Sequence, residues 1–440
     1  MGRVTTSHYF NWPPVLIQLT LHVLYKIFGV HSYYLFFINL FIFYLGLTLI
    51  IISLYHRFKT KKVILIYLLI FIKDIYFMNF SQVKDSTASM FIWLLYSLIF
   101  FQLLVKINNK HIKLLLKIFT AIILLFGLLW RHNMIVTIYP IFILFVYQYL
   151  KNKEIKSIKN YIKSFVILML LSAIILVGIV KVFPYIWIKD YKKELTTNSI
   201  FLIQIAACST PENDDSLIPL DWYEEGKTFE NVKELYKISP FDSDTFGMHW
   251  RVERPFKFQK LDGLEKVWIK YILKYPLNYI KHINRTFIEY CIKNQKSWIF
   301  NSDVIQELHN YGWNEYVINR FNSNEQKITF TPLRQGIYDF LFINTFHIQI
   351  IWNFIILFTI FIINFILIFI KRIFDNDILI YSLCSSFSGL ATICIVVSFT
   401  PVLDMRYIHP VYPISIISLI SFITFIYDNR GLKNKRGENK

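Results

Sequence analysis

Charged side chains gather at four places where apolar runs begin or end, and their types are those that handle a phosphate and an acceptor proton. The first is Lys73-Asp74 together with Val83-Lys84-Asp85-Ser86. Asp85 heads an apolar run. It reads either as a helix cap or as a carboxylate that orients an acceptor hydroxyl or a bound cation, and Asp74 beside Lys73 reads as an interfacial pair or a second such acid. The second is Trp130-Arg131-His132-Asn133. Arg131 either snorkels at an interface or grips phosphate oxygens through two parallel N–H donors. The third is Asp404-Met405-Arg406-Tyr407-Ile408-His409-Pro410. An arginine between an acid and a tyrosine suits a phosphate or pyrophosphate leaving group, whose developing charge a fixed cation stabilises; plain structural pairing is the alternative. The fourth is His8 to Pro14, where Trp12, Pro13 and Pro14 suit the lip of a pocket or an interfacial aromatic anchor.

The elements that must position these groups are membrane spans. The chain has 440 residues, is 55% hydrophobic and carries 42 Phe and 28 Tyr. Apolar runs recur along most of it, which excludes a soluble enzyme with one anchor. Spans are expected at 33–55, 63–77, 87–105, 114–130, 134–150, 165–187, 346–370, 378–400 and 410–427, with 8–29 as a further marginal helix. Met1 to Asn11 lacks the basic, apolar, small-residue pattern of a cleavable leader. The net charge of +18 comes from Lys and Arg in alternate short loops and in the tail, so it reports topology and not nucleic-acid binding. With those loops in the cytoplasm, the outer loops are Lys73 to Ser86, Arg131 to Asn133, Lys189 to Asn344 and Pro401 to His409. The first three sites then lie on one side of the membrane, where charge facing lipid is costly and usually turns toward a cavity or a partner. Charge counting leaves 8–29 open: it either spans, or lies as a juxtamembrane helix at the outer surface.

The expected architecture is therefore an all-α polytopic membrane protein of about nine or ten transmembrane helices. A mainly helical extracytoplasmic domain is inserted before the last three spans. By segment, 1–32 is an outer loop and helix, 33–188 and 345–427 are transmembrane, 189–344 is the extracytoplasmic domain, and 428–440 is a cytoplasmic basic tail. Within 189–344, Asp262-Gly-Leu-Glu265 resembles a capping box. Leu264, Val267, Trp268, Tyr271 and Ile272 follow at helical spacing, and Pro276 divides this helix from one carrying Tyr279, Ile283, Phe287 and Cys291. These two amphipathic helices pack either on the membrane spans or within the domain itself. Pro211-Glu-Asn-Asp-Asp215 is an acidic run that reads as a solvated loop or a cation site. Cys384 and Cys394 lie in an apolar run, and Cys208 and Cys291 share the hydrophilic segment and so could pair. No P-loop, dinucleotide fingerprint, His-Glu-x-x-His or Cys-x-x-Cys occurs, so energy from a soluble nucleotide is not expected.

The stretch from Asn11-Trp12-Pro13-Pro14 to Phe28-Gly29 resembles the proline-bearing segment of the GT-C membrane glycosyltransferases, the superfamily of the protein O-mannosyltransferases and the lipid A aminoarabinose transferase. Val83 to Trp93 is similar to their second outer loop, where an acid precedes a span. Arg406-Tyr407-Ile408-His409-Pro410 is similar to their late R-Y-x-x-P element, and Trp268 to Tyr279 to a W…P-x-x-Y element of bacterial relatives. The resemblance implies transfer of a sugar from a polyprenyl-phosphate donor to a glycan, lipid or protein acceptor outside a bacterial cytoplasmic membrane, with the large loop outside. It implies lipid-phosphate binding by Arg406 and Arg131, with Tyr407, His409 and Lys84 beside them. A divalent cation is compatible with that chemistry and not demanded. Those enzymes place their catalytic acid in a loop ahead of the proline segment. Here Met1 to Asn11 contains no Asp or Glu, so the role falls to Asp85 first and Asp74 second. Two other readings fit many spans with cationic outer loops: a polysaccharide polymerase or lipid-linked oligosaccharide flippase, and a GT-C-like protein without catalytic activity.

Overall fold

The computed structural model describes residues 15–29, 34–72, 84–131, 133–153, 158–187, 196–248, 253–257, 261–292, 349–371, 373, 375–400 and 402–437. Helix α1, Val15–Phe28, is followed by α2, Tyr34–Phe58, and by a 3-10 helix, Lys61–Phe71. Then come α3, Lys84–Leu104, α4, Lys110–Trp130, the short α5, Met134–Ile138, α6, Ile141–Lys151, and α7, Ile158–Trp187. The hydrophilic domain supplies α8, Thr196–Ser209, α9, Phe229–Ile238, α10, Asp244–Gly247, α11, Leu264–Lys274, and α12, Pro276–Ile292. The chain closes with α13, Ile350–Phe365, which ends in a π turn, α14, Asp377–Phe399, and α15, Val411–Gly437. Among the described residues no strand forms; two isolated bridges, Tyr223 with Phe256 and Asp242 with Val402, are the only extended pairings.

Eight of these helical stretches are long and apolar enough to cross a bilayer, counting α5 and α6 as one broken span. The protein is an all-α, polytopic membrane protein. The expected span 63–77 begins as the 3-10 helix, and its residues 73–77 fall outside the described ones. Tyr67 reaches the Thr48 hydroxyl at 3.0 Å, which places this run halfway along α2. The described part of the marginal opening helix, the 14 residues of α1, rises about 21 Å. It stops at Gly29, whose φ of +82° is the left-handed conformation that glycine adopts freely; its N–H bonds the Tyr25 carbonyl at 3.0 Å.

Burial ranks the spans. Of the apolar stretch of α3, 83% is buried, against 6% for α7, so α3 is the central post and α7 lies on the rim. Because α3 faces protein on all sides, it carries serine, threonine and tyrosine without meeting lipid. Its partner α14 does the same. Tyr96 of α3 bonds Ser388 of α14, Tyr381 bonds the Tyr96 carbonyl at 2.8 Å, and Thr137 meets Thr392 at 2.8 Å. Such bonds glue helices where the hydrophobic effect offers no drive between them. Close approach does the rest: Gly46 of α2 lies against Trp93, and Gly389 of α14 lies against Leu357 of α13.

Residues of α8 to α11 form a second core around Leu202, Trp222, Phe246, Phe256 and Tyr271, while α12 reaches the membrane core through Tyr290 and Cys291. The expected amphipathic pair is present, and each alternative holds for one helix: α11 packs inside the domain and α12 bridges to the spans. The capping box is displaced. The N-cap is Gly263 at φ +79°, with Asp262 one position earlier, and no side chain caps the helix. A true capping box instead closes α9, between Thr228 and Asn231. Cys208 and Cys291 are both free and buried, one in each core, so the pairing considered from sequence does not occur.

Candidate functional site

One end of the bundle collects the charged residues. Asp85 sits in the first turn of α3 and is buried there. A helix N-terminus favours negative charge, and the C-terminus of the neighbouring, antiparallel α4 favours positive charge. Arg131 is the residue that follows α4. The two ends thus place a carboxylate and a guanidinium of matching preference side by side, and Arg131 pairs directly with Asp85.

The second guanidinium comes from the turn before α15. Asp404 accepts the Arg406 backbone N–H at 2.9 Å, folding the chain into the 3-10 turn Met405–Tyr407. The same carboxylate holds the Arg406 Nε at 2.9 Å, and Asp85 Oδ2 lies 3.9 Å from that nitrogen. Arg131 and Arg406 also share one aromatic ring: their guanidinium carbons stand 4.6 and 5.0 Å from the Tyr407 centroid. The Tyr407 hydroxyl accepts from Arg406 at 3.2 Å. Two like charges are thereby held close by two carboxylates and a shared ring. Exposure separates them: Asp85 is 1% exposed and Arg131 11%, whereas Arg406 keeps 38% and is the group a ligand can reach.

Behind the arginines, the Ser86 hydroxyl meets His409 Nδ1 at 3.2 Å. Burial, then the charges of Arg131 and Arg406, pull the His409 imidazole down to about 3, so it is neutral at physiological pH and offers hydrogen bonds, not charge. Burial also draws Arg131 down, to about 10, which leaves it protonated. Lys84 is half-buried beside Asp85 at the head of α3.

The structure therefore brings together Lys84, Asp85, Arg131, Arg406, Tyr407 and His409 from three separated stretches of chain. Asp74, Trp12, Pro13, Pro14 and His132 lie outside the described residues. The residue that sequence reasoning missed is Tyr290 of α12. Its hydroxyl meets Thr400 Oγ1 at 3.0 Å, donates toward the Val402 carbonyl at 3.0 Å and accepts the Asp404 N–H at 3.2 Å. It ties the hydrophilic domain to the loop that carries Arg406. Its spacing of three from Phe287 on the expected face of that helix was the only signal. Replacing Tyr290 with Phe strands these polar groups in a buried site and is expected to cost about 1–3 kcal/mol of stability. Thermal unfolding in detergent checks this; an unchanged melting temperature would show the loop anchored elsewhere.

Among the described residues no three His, Cys, Asp or Glu side chains group to hold a metal ion. The acidic run is partnered instead. Asp214 holds Lys274 at 2.6 Å and the Tyr275 hydroxyl at 2.8 Å, and Glu212 accepts from Asn278 at 2.9 Å. These bonds, led by that from Lys274, hold the Asp214 carboxyl well below the usual carboxylate range. Comparison with known protein families, with curated proteins and with solved structures finds no match for this chain.

Proposed function

We propose that the chain transfers a sugar from a polyprenyl-phosphate donor in a bacterial cytoplasmic membrane to a glycan, lipid or protein acceptor on its outer side, where the hydrophilic domain stands. The observation that carries this reading is the convergence of Arg131 and Arg406 on one buried carboxylate, Asp85, at the head of the central helix and beneath that domain. Two guanidiniums on a shared ring form a fork for phosphate oxygens. A carboxylate within their reach is what an acceptor hydroxyl needs to lose its proton.

The two roles are coupled. Without donor, Asp85 neutralises the arginines. A lipid phosphate arriving at Arg406 competes for the same guanidiniums and frees Asp85 to accept a proton. The acceptor oxygen then bonds the anomeric carbon, the carbon–oxygen bond to phosphate breaks with its electron pair passing to the phosphate, and the hydroxyl proton goes to Asp85. One displacement inverts the anomeric centre. The departing phosphate gains negative charge as the bond breaks, so the arginines hold it more strongly in the transition state than they hold the donor's phosphodiester.

Arg406→Ala is the test. Transfer from a prenyl-phosphate sugar in isolated membranes is expected to fall about 100- to 1,000-fold, the scale for losing one charge-stabilising donor. Arg406→Lys keeps the charge without the fork and is expected to fall between the two. Unchanged transfer in Arg406→Ala would sink the reading.

A further inference from the structure

On the hydrophilic domain, apart from Asp85 and its arginines, a cleft of about 320 Å³ is lined by Thr210, Pro211, Lys233, Tyr236, Lys237 and Arg285. Three of these side chains are cations and none is an acid. Lys233 is already engaged: its ammonium bonds Asn213 Oδ1 at 2.7 Å and pairs with Glu230. Among the described residues Lys237 and Arg285 have no acidic partner, and the Arg285 guanidinium lies over the Phe241 ring, 5.5 Å from its centroid. The remaining groups bring no negative charge. Burial pushes the Tyr236 phenol up to about 12, and its hydroxyl meets His282 Nδ1 at 3.1 Å. His282, buried and beside Arg285, is drawn down to about 4 and stays neutral. Lys237 and Arg285, like charges in one concavity with no acidic partner among the described residues, favour an anion between them.

We propose that this cleft binds a phosphate-bearing ligand, seated between Lys237 and Arg285 with the Thr210 and Tyr236 hydroxyls as further donors. Two unpaired cations beside these hydroxyls match the double charge of a phosphate better than the single charge of a carboxylate. The position indicates where that phosphate comes from. Arg285 precedes Tyr290 on α12 by five residues, about 7 Å of helix. Phe287 lies edge-on to Phe354, near the start of α13, with ring centroids 5.2 Å apart. Asp242, next to Phe241, bridges Val402 ahead of the Arg406 turn. The cleft thus opens near the level where the spans leave the bilayer, at the depth of lipid headgroups and close to the central cluster. Two sources share the chemistry: a phospholipid headgroup, or a phosphate on a soluble ligand. This site is separate from the transferase reading and stands without it.

The full chain, in nanodiscs of zwitterionic lipid, is titrated with inorganic pyrophosphate by calorimetry. The wild type is expected to bind, and Lys237→Gln with Arg285→Gln to weaken binding about tenfold or more. Because Arg406 is itself read as a phosphate ligand, the comparison is made in the Arg406→Ala background, where pyrophosphate binding that remains and is lost with Lys237→Gln and Arg285→Gln belongs to the cleft. Both cleft residues are exposed, so the double variant keeps its fold, checked by its melting temperature. Repetition in nanodiscs containing anionic phospholipid separates the sources. Loss of pyrophosphate binding there assigns the cleft to a headgroup, and retention assigns it to a soluble phosphate; either supports the site. No binding by the wild type, or equal binding by the double variant, overturns it.

Discussion

Replacing Arg131 with methionine is expected to lower the unfolding free energy by about 3–5 kcal/mol, the cost of leaving a buried charge without its partner. Asp85 is enclosed at the head of the most buried span, and Arg406 stands 3.9 Å away while engaged with Asp404. The lost guanidinium is therefore replaced only in part, by the longer Arg406 contact. Adding Asp85→Leu removes the orphaned charge as well, and most of the loss is expected to return, because an apolar pair of similar volume is often as stable as a buried ion pair. Unfolding in detergent of the wild type, both single variants and the double variant measures the coupling. A single-variant loss below about 1 kcal/mol, the range of exposed pairs, would show that water reaches the site. The same double variant bears on function. If it still transferred sugar at the wild-type rate, the cluster would be a structural clamp and the role given to Asp85 would fall.

The second large effect is expected at Gly46. A Cβ there would lie 2.5 Å from Trp93 Nε1 and 2.7 Å from its Cδ1. The indole cannot yield cheaply. Its N–H donates to the Phe43 carbonyl at 3.0 Å, its ring stacks on Phe43 at 5.7 Å, and it is 2% exposed. Gly46→Ala is expected to cost about 1–3 kcal/mol despite the better helix propensity of alanine, and Gly46→Leu more, since α2 and α3 must then separate. Gly178 on α7 is the control. Nothing lies within 4 Å of its added Cβ, so Gly178→Ala is expected to be neutral or to stabilise slightly. Melting temperatures of the three variants in one detergent decide it. A Gly46→Ala protein as stable as wild type would mean that Trp93 is free to turn.

The spans were legible because a run of about 18 or more apolar residues has few other uses. Their packing was not. Nothing in the composition of 84–104 announces that it is the central post, although its serines and tyrosines, read as a fault in a lipid-facing helix, are what a protein-facing one permits. The site was legible as types and not as a set. Asp85, Arg131 and Arg406 stood out as charges at span ends, but Ser86 and His409, 323 residues apart, meet only through the fold. Tyr290 was illegible for the same reason: a tyrosine in an amphipathic helix carries no sign that its hydroxyl will hold a loop more than a hundred residues away. At Asp262 the local pattern misled by one residue, because Gly263 takes the left-handed conformation and the N-cap with it.

The enclosure of α3 has a consequence for how the protein is made. A segment leaving the ribosome is sorted into lipid by its own partitioning, before its eventual neighbours exist. The α3 sequence is apolar enough to enter lipid, but its hydroxyls and indole are tuned to those neighbours. They are satisfied in company: by the preceding α2, whose Phe43 carbonyl receives the Trp93 indole, and later by α14, whose Ser388 bonds Tyr96. Since α14 is made almost three hundred residues later, the central post of this protein waits, half-satisfied, for most of synthesis.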